Sequence, residues 1–484
     1  MKDYNLKISD HLVINQDLNG NIYAYNSLFG GLKKLTPEEY NFIKLLKNGE
    51  PLPPIKEEII ESLLDRHFIN NYDLDEYELI TPILNNYKDD VINGDSISKL
   101  LLYVTGNCML RCSYCYLNNA QEMNDNNDGL NCGMKNMEWK VAKEAIDVFF
   151  EIIKKNGQKK VHIRFHGGEP FLNFPVIKKS IEYINEKFSD LKVIYHVNTN
   201  GIAMTDDAID FWIENSNNKN HSTDIEFSID GPKECHDSIR KYANGKGSFE
   251  KGMKTIKKLI EKGYPLEQIN IATTLTKYNY TCLHELIDET KKVGLNAVEI
   301  NTLIFDSEYD FIDKVDERVN CLVDARIYGA SNGVKVSGKW FKLLERLTSP
   351  VLNYCGRMGQ QFAVDLDGNV FLCTGYFRNF GKIKDWEKII SNQEYINLCS
   401  RIVGQIDDCK NCEIECVCAG GCPASAEYSY GSFYSKESKE CEFRKKIVKE
   451  LIKNIDNVTN DNVTTDIVDS SYVPTLNKYR TRKR

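Results

Sequence analysis

"KLLLYVTGNCMLRCSYCY" occupies residues 99–116 and decides how the rest of the chain is read. Its first seven residues form an apolar run of strand length, stopped by Gly106. Its last nine carry Cys108, Cys112 and Cys115, with gaps of three and two residues between them. A structural zinc site needs four ligands in a closed tetrahedron. A disulfide uses two thiols and leaves one over. Three thiolates on one loop suit a metal centre that keeps a position open.

Downstream, the strand pattern repeats. Apolar, β-branched runs recur at 161–166, 193–199, 224–230, 269–275 and 296–301, separated by helical patterns over 138–155, 174–189, 249–262 and 280–293. Six such units predict an α/β fold, a parallel sheet curled into a partial (β/α)6 TIM-like barrel. Reacting groups in these folds sit at the C-terminal ends of the strands. The cysteine loop follows the first strand, "HGGEP" (166–170) the second, "NTNG" (198–201) the third and "SIDGP" (228–232) the fourth. All four unusual segments therefore fall on one rim.

The flanks differ in character. Residues 1–90 read as a small winged-helix-like module. "HLVIN" and "NIYAY" are strands joined by a turn, and a helix follows with Thr36 as N-cap, Pro37 as first residue and Gly49 as stop. An exposed strand edge there can accept a peptide as an added strand. The barrel is expected over 95–315 and a bridging region over 316–349. Residues 350–445 are dense in Cys and Gly with little apolar periodicity, so a weak core held by metal is expected. Residues 446–484 read as a polar tail ending in the basic "KYRTRKR".

Hydrophobic residues make up 42% of the 484 and charged residues 27%, which predicts a soluble globular protein. The net charge of −8 argues against a nucleic-acid partner. Neither a membrane span nor a signal peptide is evident, so a cytoplasmic location is expected. Thiols stay reduced there, and the 16 cysteines read as metal ligands before disulfides. Cys235, Cys282 and Cys321 are expected to be buried small residues. His166 is given no role, since a core histidine and a reactive one both fit its place in the sequence.

The C-x3-C-x2-C spacing with Tyr114 before the last cysteine resembles the signature of the radical SAM superfamily. The resemblance implies a 4Fe–4S cluster on Cys108, Cys112 and Cys115, whose open iron S-adenosylmethionine chelates. It further implies reductive cleavage to a 5′-deoxyadenosyl radical that abstracts a substrate hydrogen. Gly167, Gly168 and Glu169 resemble the superfamily's GGEP segment, with the glycines allowing close approach and Glu169 accepting from an ammonium. Ser228 and Arg240 match positions that hold the methionine carboxylate in related enzymes. Asn198 and Asn200 resemble the third strand's contact with the cofactor.

A second group comprises Cys355, Cys373, Cys409, Cys412, Cys418, Cys422 and Cys441. With Cys416 set aside as a bystander, it resembles the seven-cysteine SPASM domain of peptide-modifying radical SAM enzymes. A C-x2-C pair alone also fits zinc. The resemblance implies two auxiliary 4Fe–4S clusters, three in all. Cys409, Cys412, Cys418 and Cys441 would hold one. Cys355, Cys373 and Cys422 would hold the other, with Gln361 where sulfatase-maturing relatives have a fourth cysteine. Those relatives also carry an Asp where this chain has Thr374, and both departures argue against formylglycine formation. Cys132 and Cys399 are left without a role.

The expectation is a peptide maturase. Residues 1–90 resemble a leader-recognition (RRE) domain, so the partners are a cysteine-rich precursor peptide with a leader and an electron donor such as flavodoxin or ferredoxin. The expected product is a thioether between a cysteine sulfur and a carbon. Rivals are a carbon–carbon crosslink, as streptide-type enzymes make, and a non-catalytic iron–sulfur electron carrier.

Overall fold

The computed structural model describes residues 6–70, 75–115, 117, 135–216, 218, 220–303, 313–355, 359–375, 378–436 and 438–459. Cys132, its Asn-rich loop and the basic terminal residues lie outside them.

Among the described residues, five strands precede the barrel: β1 (Lys7–Ile8), β2 (Leu12–Gln16), β3 (Ile22–Asn26), β4 (Gly30–Lys34) and β5 (Ile69–Asn70). β2, β3 and β4 form an antiparallel sheet, and β1 pairs with β5. The helix Pro37–Asn48 begins and ends as its sequence dictates. Thr36 and Glu39 close a reciprocal capping box, and Gly49 ends the helix in the left-handed region. β4 and the helix Glu76–Asn93 have no counterpart in the sequence reading. Both lack a clean period: β4 opens on two glycines, and the helix carries Pro82 in its interior.

The main sheet has nine strands: β6 (Lys99–Thr105), β7 (Lys160–Gly167), β8 (Lys192–Thr199), β9 (His221–Ser228), β10 (Ile269–Leu275), β11 (Ala297–Thr302), β12 (Lys335–Ser337), β13 (Gln361–Val364) and β14 (Val370–Phe371). β6 to β12 lie in chain order and pair in parallel, β13 pairs in parallel with β6, and β14 turns back antiparallel. Burial alternates along each central strand. Val161, Ile163, Phe165, Val193, Tyr195 and Val197 are buried beneath the crossover helices. His162, Arg164, His166, His196, Asn198, Asp224, Glu226 and Ser228 share the opposite, half-buried inner face.

Two expectations are corrected. The cysteine-rich region is not short of core. It extends the barrel sheet through β13 and β14 and buries Phe362, Val364, Trp386, Leu398 and Val417. Its apolar residues are scattered over short elements and pack against the barrel, so no long period announces them. Cys235 and Cys282 are half-buried and joined by a disulfide, while Cys321 remains a free thiol. Their separation of 47 positions along the chain hid their contact.

The N-terminal segment has a small core of its own, built on Ala24, Leu35, Phe42, Ile43, Leu63, Phe68 and Ile69, and it also packs against the rest of the chain. Tyr23, Tyr25, Phe29 and Leu32 belong to the same hydrophobic core as the barrel. Leu32 N–H donates to the Leu347 carbonyl, Cys416 N–H to Ser27, and Leu18 N–H to Lys453. Among the described residues no helix is long and apolar enough to cross a membrane.

Candidate active site

The cysteine loop is strapped down by backbone contacts before any side chain is considered. Arg111 N–H donates to the Lys241 carbonyl at 2.7 Å, and Leu110 bridges Tyr242. Gly167 and Gly168 serve this packing. A Cβ on Gly167 would lie 2.2 Å from the Thr105 carbonyl oxygen, and one on Gly168 would lie 2.3 Å from that of Asn107. Their close approach is thus to the backbone leading into the cysteine loop.

Glu169, 1% exposed, ties three strand ends together. Its N–H donates to Asn107, and its carboxylate accepts from the Thr199 hydroxyl at 2.6 Å and from the Asn200 and Phe171 N–H groups. Burial pushes its carboxyl up to about 7, against the pull of those donors. Asn200 also directs its amide towards Cys108 Sγ at 3.9 Å and Met109 Sδ at 3.6 Å. Asn198 turns instead to Glu226. Ser228 ends β9 on the inner face. His166 tilts against Tyr103, and its Nδ1 accepts from the Gly167 N–H.

The residue missed in the sequence is Asp230, although it sits within the quoted "SIDGP". It is fully buried, and its Oδ2 accepts from both Tyr114 Oη and Arg240 Nε at 2.6 Å. Arg240 is therefore already half of an ion pair. Its Nη1 lies 3.9 Å from Cys112 Sγ, and its guanidinium lies over the Tyr114 ring. Glu169, Asn200, Tyr114 and Arg240 are brought to the cysteine loop; Asn198 is not.

The three cysteines fit a cluster rather than a lone ion. Burial above all, with a smaller contribution from nearby Cys115, pushes Cys108 up to about 11 and Cys112 up to about 12. Thiols so coupled ionise together only against a multivalent cation. Among the described residues no three Cys, His, Asp or Glu side chains converge as a single ion requires. Three thiols on one loop suit a cubane, whose ligands bind at separate corners.

The downstream cysteines fall into neighbourhoods. Burial pushes Cys409 up to about 12, and Cys418, Cys441 and Cys412 add to the shift, so these four lie together. Three arginines brace this region. Arg346 donates to the carbonyls of Tyr354 and Val417, next to Cys355 and Cys418; Arg401 donates to those of Gly420 and Gly421, next to Cys422. Arg444 Nη1 lies 4.0 Å from Cys418 Sγ. Cys416 and Cys399 are buried in the core.

Residues 102–293 match the family model of the radical SAM superfamily. The chain thus carries a radical SAM domain. The superfamily binds S-adenosylmethionine and a 4Fe–4S cluster, and the electron-carrier alternative falls. The chain is 25% identical over 460 residues to the radical SAM cyclopropyl synthase TigE of Paramaledivibacter caminithermalis, covering 90% of this chain and 93% of that protein. It is 27% identical over 354 residues to the cysteine-type anaerobic sulfatase-maturating enzyme of Clostridium novyi, covering 69% and 90%. Its fold matches Streptococcus suis SuiB bound to the precursor peptide SuiA, with a TM-score of 0.52 at 16% identity, covering 90% of this chain and all of that one.

Proposed function

We propose that this radical SAM enzyme matures a ribosomally made, cysteine-rich precursor peptide by joining a cysteine sulfur to a peptide carbon. The observation that carries the proposal is that the rim cysteines and Cys373 belong to opposite ends of one sheet. Cys108, Cys112 and Cys115 follow the C-terminal end of β6. Gln361 is level with Lys99, at the start of that strand. Continuing the antiparallel register of Ala363 with Phe371 and Val364 with Val370 sets Gln361 opposite Cys373. A strand of seven residues spans about 20 Å, so a peptide side chain on the inner face lies between the two sets.

In this reading Cys108, Cys112 and Cys115 hold the 4Fe–4S cluster. Glu169 takes the ammonium of S-adenosylmethionine, Arg240 and Ser228 take its carboxylate, and Tyr114, Asn200, Gly167 and Gly168 line its site, with Asn198 held aside by Glu226. Bound there, these groups would supply the one-electron chemistry that removes a hydrogen atom from the peptide carbon and takes up the electron released as the bond closes, while the peptide thiol gives up its proton. Cys409, Cys412, Cys418 and Cys441 hold one auxiliary cluster. Cys355, Cys373 and Cys422 hold a second, with Gln361 leaving a corner for a peptide thiolate. The polar inner face, with Tyr103, His166 and Glu226, surrounds the reacting side chain.

The N-terminal sheet supplies the leader site. The β4 side is in contact with Leu347 and Pro350, whereas β2 is an outer strand with Ile14 37% exposed. An added strand is expected along β2.

A second reading rests on the similarity to TigE over nine-tenths of both chains: a carbon–carbon bond within the peptide, needing no thiol. Incubating reconstituted enzyme with its precursor separates the two. A thioether removes two hydrogens and makes a cysteine resistant to alkylation. The same mass loss with every cysteine still alkylatable rejects it.

A further inference from the structure

We propose that Asp230 is a positioning residue that fixes Arg240 and the Tyr114-bearing cysteine loop in one buried, charge-neutral unit. Arg240 is held at both its ends. At the side chain, Nε donates to Asp230 Oδ2, which also accepts from Tyr114. At the backbone, a chain of hydrogen bonds leads back to the same aspartate. Asp230 N–H donates to His236 Nδ1, so the neutral ring carries its proton on Nε2 and donates to Ser248 Oγ at 2.9 Å. The Ser248 hydroxyl donates to the Arg240 carbonyl at 2.7 Å. Asp230 itself is anchored to the neighbouring strand, because Thr274 N–H donates to its Oδ1 at 2.9 Å.

The ring is dry: Asp230, His236 and Ser248 are at most 3% exposed. Charge-assisted bonds count most in such surroundings, and a lone buried charge is costly. With Nε occupied, the guanidinium has its two terminal nitrogens left for a ligand, and Nη1 already faces Cys112. Asp230 thus decides which edge of Arg240 meets a carboxylate, and it cancels the arginine's charge beside the cysteine loop. The inference rests on the proposed reading that Arg240 binds the carboxylate of S-adenosylmethionine.

The test is Asp230→Asn in the full-length, iron-reconstituted enzyme. The asparagine keeps an acceptor for Thr274 but turns a donor towards Arg240 Nε. Expected are full iron content, S-adenosylmethionine affinity about tenfold or more weaker, and a cluster reduction potential shifted upward by the uncompensated guanidinium. Adding Arg240→Lys should cost little more, since both changes break one device. Wild-type affinity and potential in Asp230→Asn, or fully additive losses in the double variant, would overturn the proposal. Should Asp230→Asn fail to retain iron, Tyr114→Phe decides. It removes one donor and no charge, so a few-fold weaker affinity at full iron supports the unit, and unchanged affinity refutes it. Arg240→Ala separates the two readings. If it binds the cofactor normally, the assignment of Arg240 fails. If it binds weakly while Asp230→Asn is wild-type, only the positioning role fails.

Discussion

The two groups of cysteines are held in place by different means. Cys108, Cys112 and Cys115 lie within eight residues, on a loop whose backbone pairs with residues 239–242. Side chains from the ends of neighbouring strands and their loops surround it: Glu169, Asn200 and Asp230. The downstream group extends from Cys355 to Cys441 and depends on distant partners. Arginines brace its loops, a hairpin added to the barrel sheet carries Cys373, and the N-terminal segment contacts Glu415 and Cys416. The first group is rigid with the barrel; the second is only as well placed as the whole chain is folded.

The largest expected effect separates the groups by chemistry. Cys112→Ala should abolish 5′-deoxyadenosine formation under reductant. Cys412→Ala should lower iron content yet leave cofactor cleavage measurable, while modified peptide disappears. Equal loss of 5′-deoxyadenosine in both variants would show that the groups do not act separately.

Next comes Gln361→Cys. A cysteine opposite Cys373 would complete the set with Cys355 and Cys422 and close the corner proposed for the peptide. Cleavage of S-adenosylmethionine should persist while thioether product falls at least tenfold. Undiminished thioether formation would remove Gln361 from the account.

That contrast also explains what was legible. All six predicted barrel strands are present, because a buried parallel strand announces itself within one short run. The rim motifs were readable because topology alone brings strand ends together. Asp230 was passed over because an aspartate before a glycine reads as turn chemistry, and nothing local reveals the burial that makes it a hub. Arg240 was recognised as a cation, but its partner was invisible. Cys235 and Cys282 are joined only by tertiary structure. β13 and β14, too short to show a period, were invisible until the barrel edge gave them something to pair with.

A smaller effect concerns pH at the first group. Burial raises the Glu169 carboxyl to about 7, and the groups acting on it from outside its hydrogen bonds are Cys108 and Arg240. Holding an ammonium requires the ionised form. S-adenosylmethionine affinity should therefore fall as pH drops through 7, by up to about tenfold per unit. Glu169→Gln should bind weakly, without that slope. A wild-type affinity flat between pH 6 and 8 would remove the carboxylate from the ammonium site.

The smallest expected effect probes the second group through its remote support. Tyr77 donates its hydroxyl to Glu415 Oε2 at 2.5 Å and accepts from Asn411 N–H at 2.7 Å, joining the N-terminal segment to the loop between Cys409 and Cys418. Glu415 is 2% exposed, so Tyr77→Phe leaves a buried carboxylate short of a donor, at a cost of about 1–3 kcal/mol. The enzyme should melt at a lower temperature and lose iron from the downstream group first on mild chelation. The rim group, which shares none of these contacts, should keep its cofactor-induced spectral change. Simultaneous loss from both groups would mean that the rim loop depends on the same tertiary support, and that the two differ only in spacing along the chain.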